Sequence, residues 1–149
     1  MRTRKLTVGI AAGLALLTAA CGGDDVAGSD PDGRRVEVTM VDTAFEPETL
    51  QVAKGEAVRF TFTNDGKIRH EAYVGTPDDQ ADHGKEMAEG TSSGGHDDDH
   101  AGGDDDKISL EPGKRGDLTY RFDEAGTYEI GCHEPGHYAA GMKITVTVT

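Results

Sequence analysis

Gly131-Cys132-His133-Glu134-Pro135-Gly136-His137-Tyr138-Ala139-Ala140-Gly141-Met142 is the stretch on which the reading of this chain turns. It sets a thiol, an imidazole and a thioether at Cys132, His137 and Met142, in the spacing Cys-x4-His-x4-Met. Pro135, Gly136 and Gly141 favour turns over helix or strand. On either side apolar and polar residues alternate, over residues 127–132 and 143–148, as they do in half-buried strands. A loop between two strands that offers soft sulfur together with imidazole selects copper, which takes one thiolate and two imidazoles in a plane and a weak axial thioether. The second imidazole has to come from another part of the chain. His70 is the natural donor, because it opens an alternating segment upstream, whereas His83, His96 and His100 lie in an acidic stretch.

Working outward, the same alternation recurs along the chain. Val36, Val38 and Met40 share one face, and Val58, Phe60 and Phe62 share another before the turn Asn64-Asp65-Gly66-Lys67. Residues 70–74, 108–110 and 118–122 add further strands. About seven or eight short strands with turn residues between them, and no sustained helical period, predict an all-β sandwich. Residues 77–107 break the pattern: eleven acidic residues stand against two lysines, with six glycines, three histidines and few large apolar side chains. The expectation there is a disordered acidic insert with no core of its own, and at most a turn or two of helix over residues 79–89.

The N-terminus reads as an address. Arg2, Arg4 and Lys5 precede an uncharged apolar run over residues 6–20, too short to span a bilayer and right for a signal peptide. Leu17-Thr18-Ala19-Ala20-Cys21 resembles a bacterial lipobox, which makes residues 1–20 a lipoprotein signal and Cys21 the lipidated first residue; plain secretion and an uncleaved anchor are the alternatives. Residues 21–34 read as a flexible tether and residues 35–149 as the folded domain. The expected location is the cell envelope, extracytoplasmic and membrane-anchored, in the periplasm or on the outer face of the cytoplasmic membrane. The formal charge of −13 becomes −16 when the three basic residues leave with the leader. That charge excludes nucleic acid as a partner and favours cations. With 149 residues in all, a multidomain enzyme is excluded as well.

Phe45-x-Pro47, Leu50-x-Val52-x-x-Gly55, Asn64-x-Gly66-Lys67-x-x-His70-Glu71, Glu111-Pro112-Gly113 and Cys132-x-x-Pro135-Gly136-His137-Tyr138-x-Ala140-Gly141-Met142 together resemble the cupredoxin family of type 1 copper proteins. The resemblance is narrower still to its periplasmic copper-resistance branch, which carries a His- and Met-containing insert after the first ligand. It implies a Greek-key β-sandwich or barrel binding one copper through His70, Cys132, His137 and Met142. Glu71 departs from the pattern, since many members place after the first histidine an Asn that braces the cysteine loop.

Cys-His followed by His and Met also resembles the last domain of multicopper oxidases. That trinuclear centre needs paired His-x-His motifs, and the chain has none. A dinuclear copper centre needs a second cysteine in the loop. His133 is then a solvent-side loop residue, with electron exit or a secondary metal contact as its alternatives. The function expected is electron transfer by Cu(I)/Cu(II) cycling with a redox partner protein, by a monomer that is not an enzyme. The alternative is copper capture for tolerance or delivery, aided by a secondary metal set of His83, Met87, His96 and His100 in the insert.

Overall fold

The computed structural model describes residues 33–90 and 106–149. The leader, Cys21, nearly all of the tether and the insert residues His96 and His100 lie outside the described residues. Nine strands and one helix follow in the order β1 (Arg34–Val41), β2 (Ala44–Glu46), β3 (Thr49–Val52), β4 (Glu56–Asn64), β5 (His70–Gly75), α1 (Pro77–Glu89), β6 (Lys107–Leu110), β7 (Arg115–Phe122), β8 (Gly126–Gly131) and β9 (Lys143–Val148). They form two sheets, a four-stranded one ordered β2-β1-β4-β7 and a five-stranded one ordered β3-β9-β8-β5-β6.

The alternation seen in the sequence becomes the inner face of this sandwich. Val38 and Met40 from β1, Val58, Phe60 and Phe62 from β4 and Phe122 from β7 meet Val74, Ile130, Ile144 and Val146 of the opposite sheet in one buried cluster. Phe60 stacks on Phe62 and meets Phe122 edge-on, filling the centre with three rings. Burial of this kind contributes about 25 cal/mol per Å² of apolar surface.

Both sheets contain a parallel pairing. β1 runs parallel to β4, with Val38 beside Phe62, and β3 runs parallel to β9, with Val52 beside Val148. All other pairings are antiparallel. β5 lies between β6 and β8, and β9 lies next to β8. The segments opening at His70 and closing at Cys132 and Met142 are therefore neighbours in one sheet.

Helix α1 exceeds what the sequence suggested. It runs for 13 residues, with Pro77 in its first turn and Gly90 closing it in the left-handed conformation. A capping box starts it: the Thr76 hydroxyl accepts from the Asp79 N–H, and the Asp79 carboxylate accepts from the Thr76 N–H. The helix packs on β5 and β8. Its buried residues are Gln80 and His83, both polar. The expectation that nothing in the insert would pack fails at these two positions, because their burial depends on hydrogen bonds and leaves no apolar period to read.

Candidate metal centre

One loop and one strand pairing bring the donors together. β8 ends at Gly131 opposite Lys143, so the eleven residues between form a closed loop connecting adjacent antiparallel strands. The Cys132 N–H donates to the Met142 carbonyl at 3.1 Å, and the Met142 N–H donates to the His137 carbonyl at 3.0 Å. Gly136 and Gly141 take φ of 84° and 98°, where a β-carbon would be strained. Tyr73 of β5 pairs with Gly131 of β8, which sets the start of β5 beside the end of β8.

The segment leading to His70 is fixed from below by Asn64. Its fully buried amide donates to the carbonyls of Ile68 and Leu110 at 2.9 and 2.8 Å, and its side-chain oxygen accepts from the Gly66 N–H at 2.9 Å. Arg69 then forms an ion pair with Glu134 at 3.3 Å, joining the His70 segment to the cysteine loop. Sequence reading took Asn64 for a turn residue; its buried hydrogen bonds also link the turn to β6.

At the meeting point, His70 Nδ1 lies 3.8 Å from Cys132 Sγ and His137 Nδ1 lies 3.5 Å from it. The two imidazole centroids are 5.2 Å apart. These three donors fall within 4.8 Å of one another and are the single such group of three or more among the described residues. All three are buried, as is Met142, which stands at the foot of the loop with no exposed surface. His70 Nε2 is buried without a hydrogen-bond partner. Both rings therefore turn Nδ1 toward the sulfur, and the chemistry of the set, one thiolate, two imidazoles and one thioether, fits a single type 1 copper. All four residues expected from the sequence are thus placed at one buried end of the sandwich.

Burial sets the protonation of the metal-free site. It pushes the Cys132 thiol up from its usual range, against the pull of hydrogen bonds from the backbone N–H groups of Glu71 and Glu134, and the carboxylates of those two residues push it the same way as burial. Burial, and then the neighbouring His137, lowers His70 below the ordinary imidazole range, with Asp42 opposing. Both shifts favour the neutral thiol and the neutral imidazole, and binding of copper by the Cys132 thiolate would release the thiol proton.

His133 is not the solvent-side residue expected. It is half-buried, its Nε2 lies 2.8 Å from the Gln80 side-chain oxygen, and its ring stacks on Tyr138 at 4.6 Å and meets His83 edge-on at 4.9 Å. Gln80 also donates to the carbonyls of Tyr73 and Glu129, both at 2.9 Å. The helix can approach this closely because residue 131 is glycine: a β-carbon there would lie 2.4 Å from the Gln80 oxygen and 2.8 Å from the Tyr138 ring. Of the insert residues expected to gather metal, His83 is buried with Nε2 3.0 Å from the Glu71 carboxylate, and Met87 is half-buried one turn further along α1. Gln80, the inward turn of His83 and the contact of Glu71 with it, a residue noted in the sequence only as a departure from the family pattern, escaped sequence reading; the signal available was the cap pattern Thr76-Pro77-Asp78-Asp79 with Gly90, which marks a helix without showing what it buries.

Comparison with known proteins agrees with this geometry. Residues 34–149 match the family described as copper binding proteins, plastocyanin/azurin family. The chain is 37% identical over 137 residues to a protein of Pseudomonas aeruginosa named copper-resistant cuproprotein CopI, covering 77% of this chain and 76% of that one. It is 38% identical over 116 residues to the CopI of Rubrivivax gelatinosus, covering 77% and 66%. Among solved structures, the reduced auracyanin of the photosynthetic bacterium Roseiflexus castenholzii superposes with a TM-score of 0.63 at 25% identity, over 77% of this chain and 96% of that one.

Proposed function

The chain belongs to the plastocyanin/azurin family of copper binding proteins, and on that premise we propose that it is an electron carrier of the bacterial cell envelope that cycles one copper between Cu(I) and Cu(II), a carrier and not an enzyme. The observation that supports this reading is the prearranged donor set. Two imidazoles and a thiol converge at one point, held by the Cys132–Met142 backbone bond, by Asn64 and by the Arg69–Glu134 pair. Bound copper would supply a one-electron couple. The residues around it supply rigidity, so that little rearranges between the two oxidation states. His137 is the donor placed for exchange with a redox partner, since Pro135, Gly136, Ala139, Ala140 and Gly141 around it are all exposed and small. A lipid anchor at Cys21 would hold this monomer at the membrane surface. No helix among the described residues is long and apolar enough to cross a membrane.

A second reading, copper tolerance, is favoured by the relatives bearing the name copper-resistant cuproprotein. One experiment separates the two. Met142→Leu removes a weak donor that matters more to one oxidation state than to the other, raising the potential while copper stays bound; the swap conserves volume and costs less than about 1.5 kcal/mol. A strain lacking the protein is complemented with wild type or with Met142→Leu, and both copper sensitivity and electron exchange are measured. If redox cycling is the role, the variant exchanges electrons at an altered rate and complements poorly. Full complementation by the shifted variant would replace the carrier reading with sequestration.

A further inference from the structure

Cys132, His137 and Met142 are buried, and each is followed in the chain by a half-buried side chain: His133, Tyr138 and Lys143, which repeat the spacing of the ligands one residue later. These three followers meet. The His133 ring stacks on that of Tyr138 at 4.6 Å, and Lys143 Nζ stands 5.2 Å from the centre of the same Tyr138 ring. All three also tie back to one residue of β8. Ile130 of that strand faces the core, so Glu129 before it lies on the outer face. The Glu129 carboxylate accepts from the Tyr138 hydroxyl through one oxygen and from Lys143 Nζ, at 2.7 Å, through the other. The Gln80 amide donates to the Glu129 carbonyl at 2.9 Å, while its oxygen lies 2.8 Å from His133 Nε2. Glu129 is 7% exposed, so this carboxylate has its partners within the protein.

We propose that Glu129 and Tyr138 are positioning residues for the copper site: by clasping the followers of His137 and Met142 on the outer face of β8, the Glu129 carboxylate sets where those two ligands stand relative to Cys132. The backbone bonds of the loop, from Met142 N–H to the His137 carbonyl and from Cys132 N–H to the Met142 carbonyl, fix its shape. The clasp fixes where that shape sits on the sheet. A buried carboxylate is costly unless it is paired, and both side-chain partners of Glu129 belong to the loop or to its last hinge. The loop therefore cannot lift without stranding the carboxylate. A buried pairing of this kind adds little net stability over apolar packing, so its contribution is to position more than to strength. Because Tyr138 is bonded to the residue that supplies the second imidazole, slack in the clasp passes directly to His137. The inference rests on the copper centre and holds whichever of the two roles the protein serves.

The test is Tyr138→Phe, which keeps the ring on His133 and removes the hydroxyl, with Glu129→Gln as the conservative variant, whose amide oxygen can still accept from Tyr138. In Tyr138→Phe the Cu(II) affinity, read by competitive titration, is expected to fall about tenfold. In the metal-free protein the Met142 amide, which donates to the His137 carbonyl, is expected to exchange faster with solvent, while that of Val146 in β9 keeps its rate. Glu129→Gln is expected to stay near wild type in both. A folded Tyr138→Phe in which either the affinity or the Met142 exchange rate stays at the wild-type value overturns the proposal, even if its melting temperature drops. So does a Met142 amide that speeds up only in step with Val146, because a merely structural role would loosen the whole fold alike. Should Tyr138→Phe fail to fold, Lys143→Met, which cuts the other arm of the clasp and keeps an aliphatic stem, decides: weaker affinity together with selectively faster Met142 exchange supports the proposal, and the lack of either overturns it. The exchange comparison needs no metal, so the clasp is tested apart from the copper centre.

Discussion

Gly66 lies so close to the His70 imidazole that a β-carbon on it would sit 2.7 Å from Nε2 and 3.0 Å from the Asp42 backbone nitrogen. The glycine is thus required by the neighbouring ligand as well as by the turn. Gly66→Ala is expected to push the ring out of line, costing about 1–3 kcal/mol of stability from overpacking and about 10- to 100-fold in copper affinity. Chemical denaturation and a competitive copper titration check it. An unchanged affinity would show that the ring has room to yield.

Cys132 is the one thiol in the described residues, and it supplies the thiolate. Copper-loaded protein beginning near Arg34 is expected to show an intense thiolate-to-copper charge-transfer band, and Cys132→Ser to lack it. The serine hydroxyl can accept from the same Glu71 and Glu134 N–H groups, so the stability change stays near about 1 kcal/mol. Colour surviving in the variant would remove Cys132 from the donor set.

The metal-free protein is expected to lose stability in acid in two stages. His70 is lowered by its burial and by His137, and His133 by its burial and by His83. As pH falls below about 6.5, the unfolded chain therefore takes up protons that the folded chain refuses, and stability falls. Asp79 and Asp117 are held low by their hydrogen bonds, to Thr76 and to Arg59 and Thr61 respectively, so the stability they contribute above the usual carboxylate range is lost only in stronger acid. Urea unfolding at a series of pH values resolves the two stages. His70→Gln should flatten the upper one, and a variant that keeps the wild-type slope there would exclude His70 as its source.

Two deletions separate the parts of the insert. Exchanging residues 91–105 for a short Gly-Ser linker leaves α1 in place, and since closure entropy changes slowly with length, fold and copper band are expected to persist. If His96 and His100 gather additional metal, stoichiometry falls to one copper. Exchanging residues 77–107 also removes Gln80 and leaves the carbonyls of Tyr73 and Glu129 without its amide; about 1–3 kcal/mol is expected to go with it. Equal metal uptake by the intact and shortened proteins would leave the insert without a capture role.

Most of the sandwich was legible in the sequence because its strands alternate: Val36, Val38 and Met40, or Val58, Phe60 and Phe62, state which face is inside. Copper chemistry was legible for a different reason, the rarity of Cys, His and Met at the spacing of 132, 137 and 142. β5 was found but its outward face was not, because Glu71 and Tyr73 give no sign in the sequence of the helix that lies over them. The full length and packing of that helix, expected only as a turn or two, escaped notice because its buried side is Gln80 and His83. Periodicity detects apolar faces, and a face made of hydrogen-bonding side chains has none to detect.

β9 enters its sheet between β3 and β8, a central place filled by the strand latest in sequence among the described residues. Synthesis from the N-terminus presents His70 early and Cys132, His137 and Met142 late, and the loop carrying those three is closed only when Lys143–Val148 has inserted. Until then β3 has no partner along that edge and the donors cannot converge. Acquisition of copper colour is consequently a report on insertion of β9: a product truncated after Met142 keeps every ligand, yet it would lack the strand that holds the loop shut and would leave the edges of β3 and β8 open to other chains.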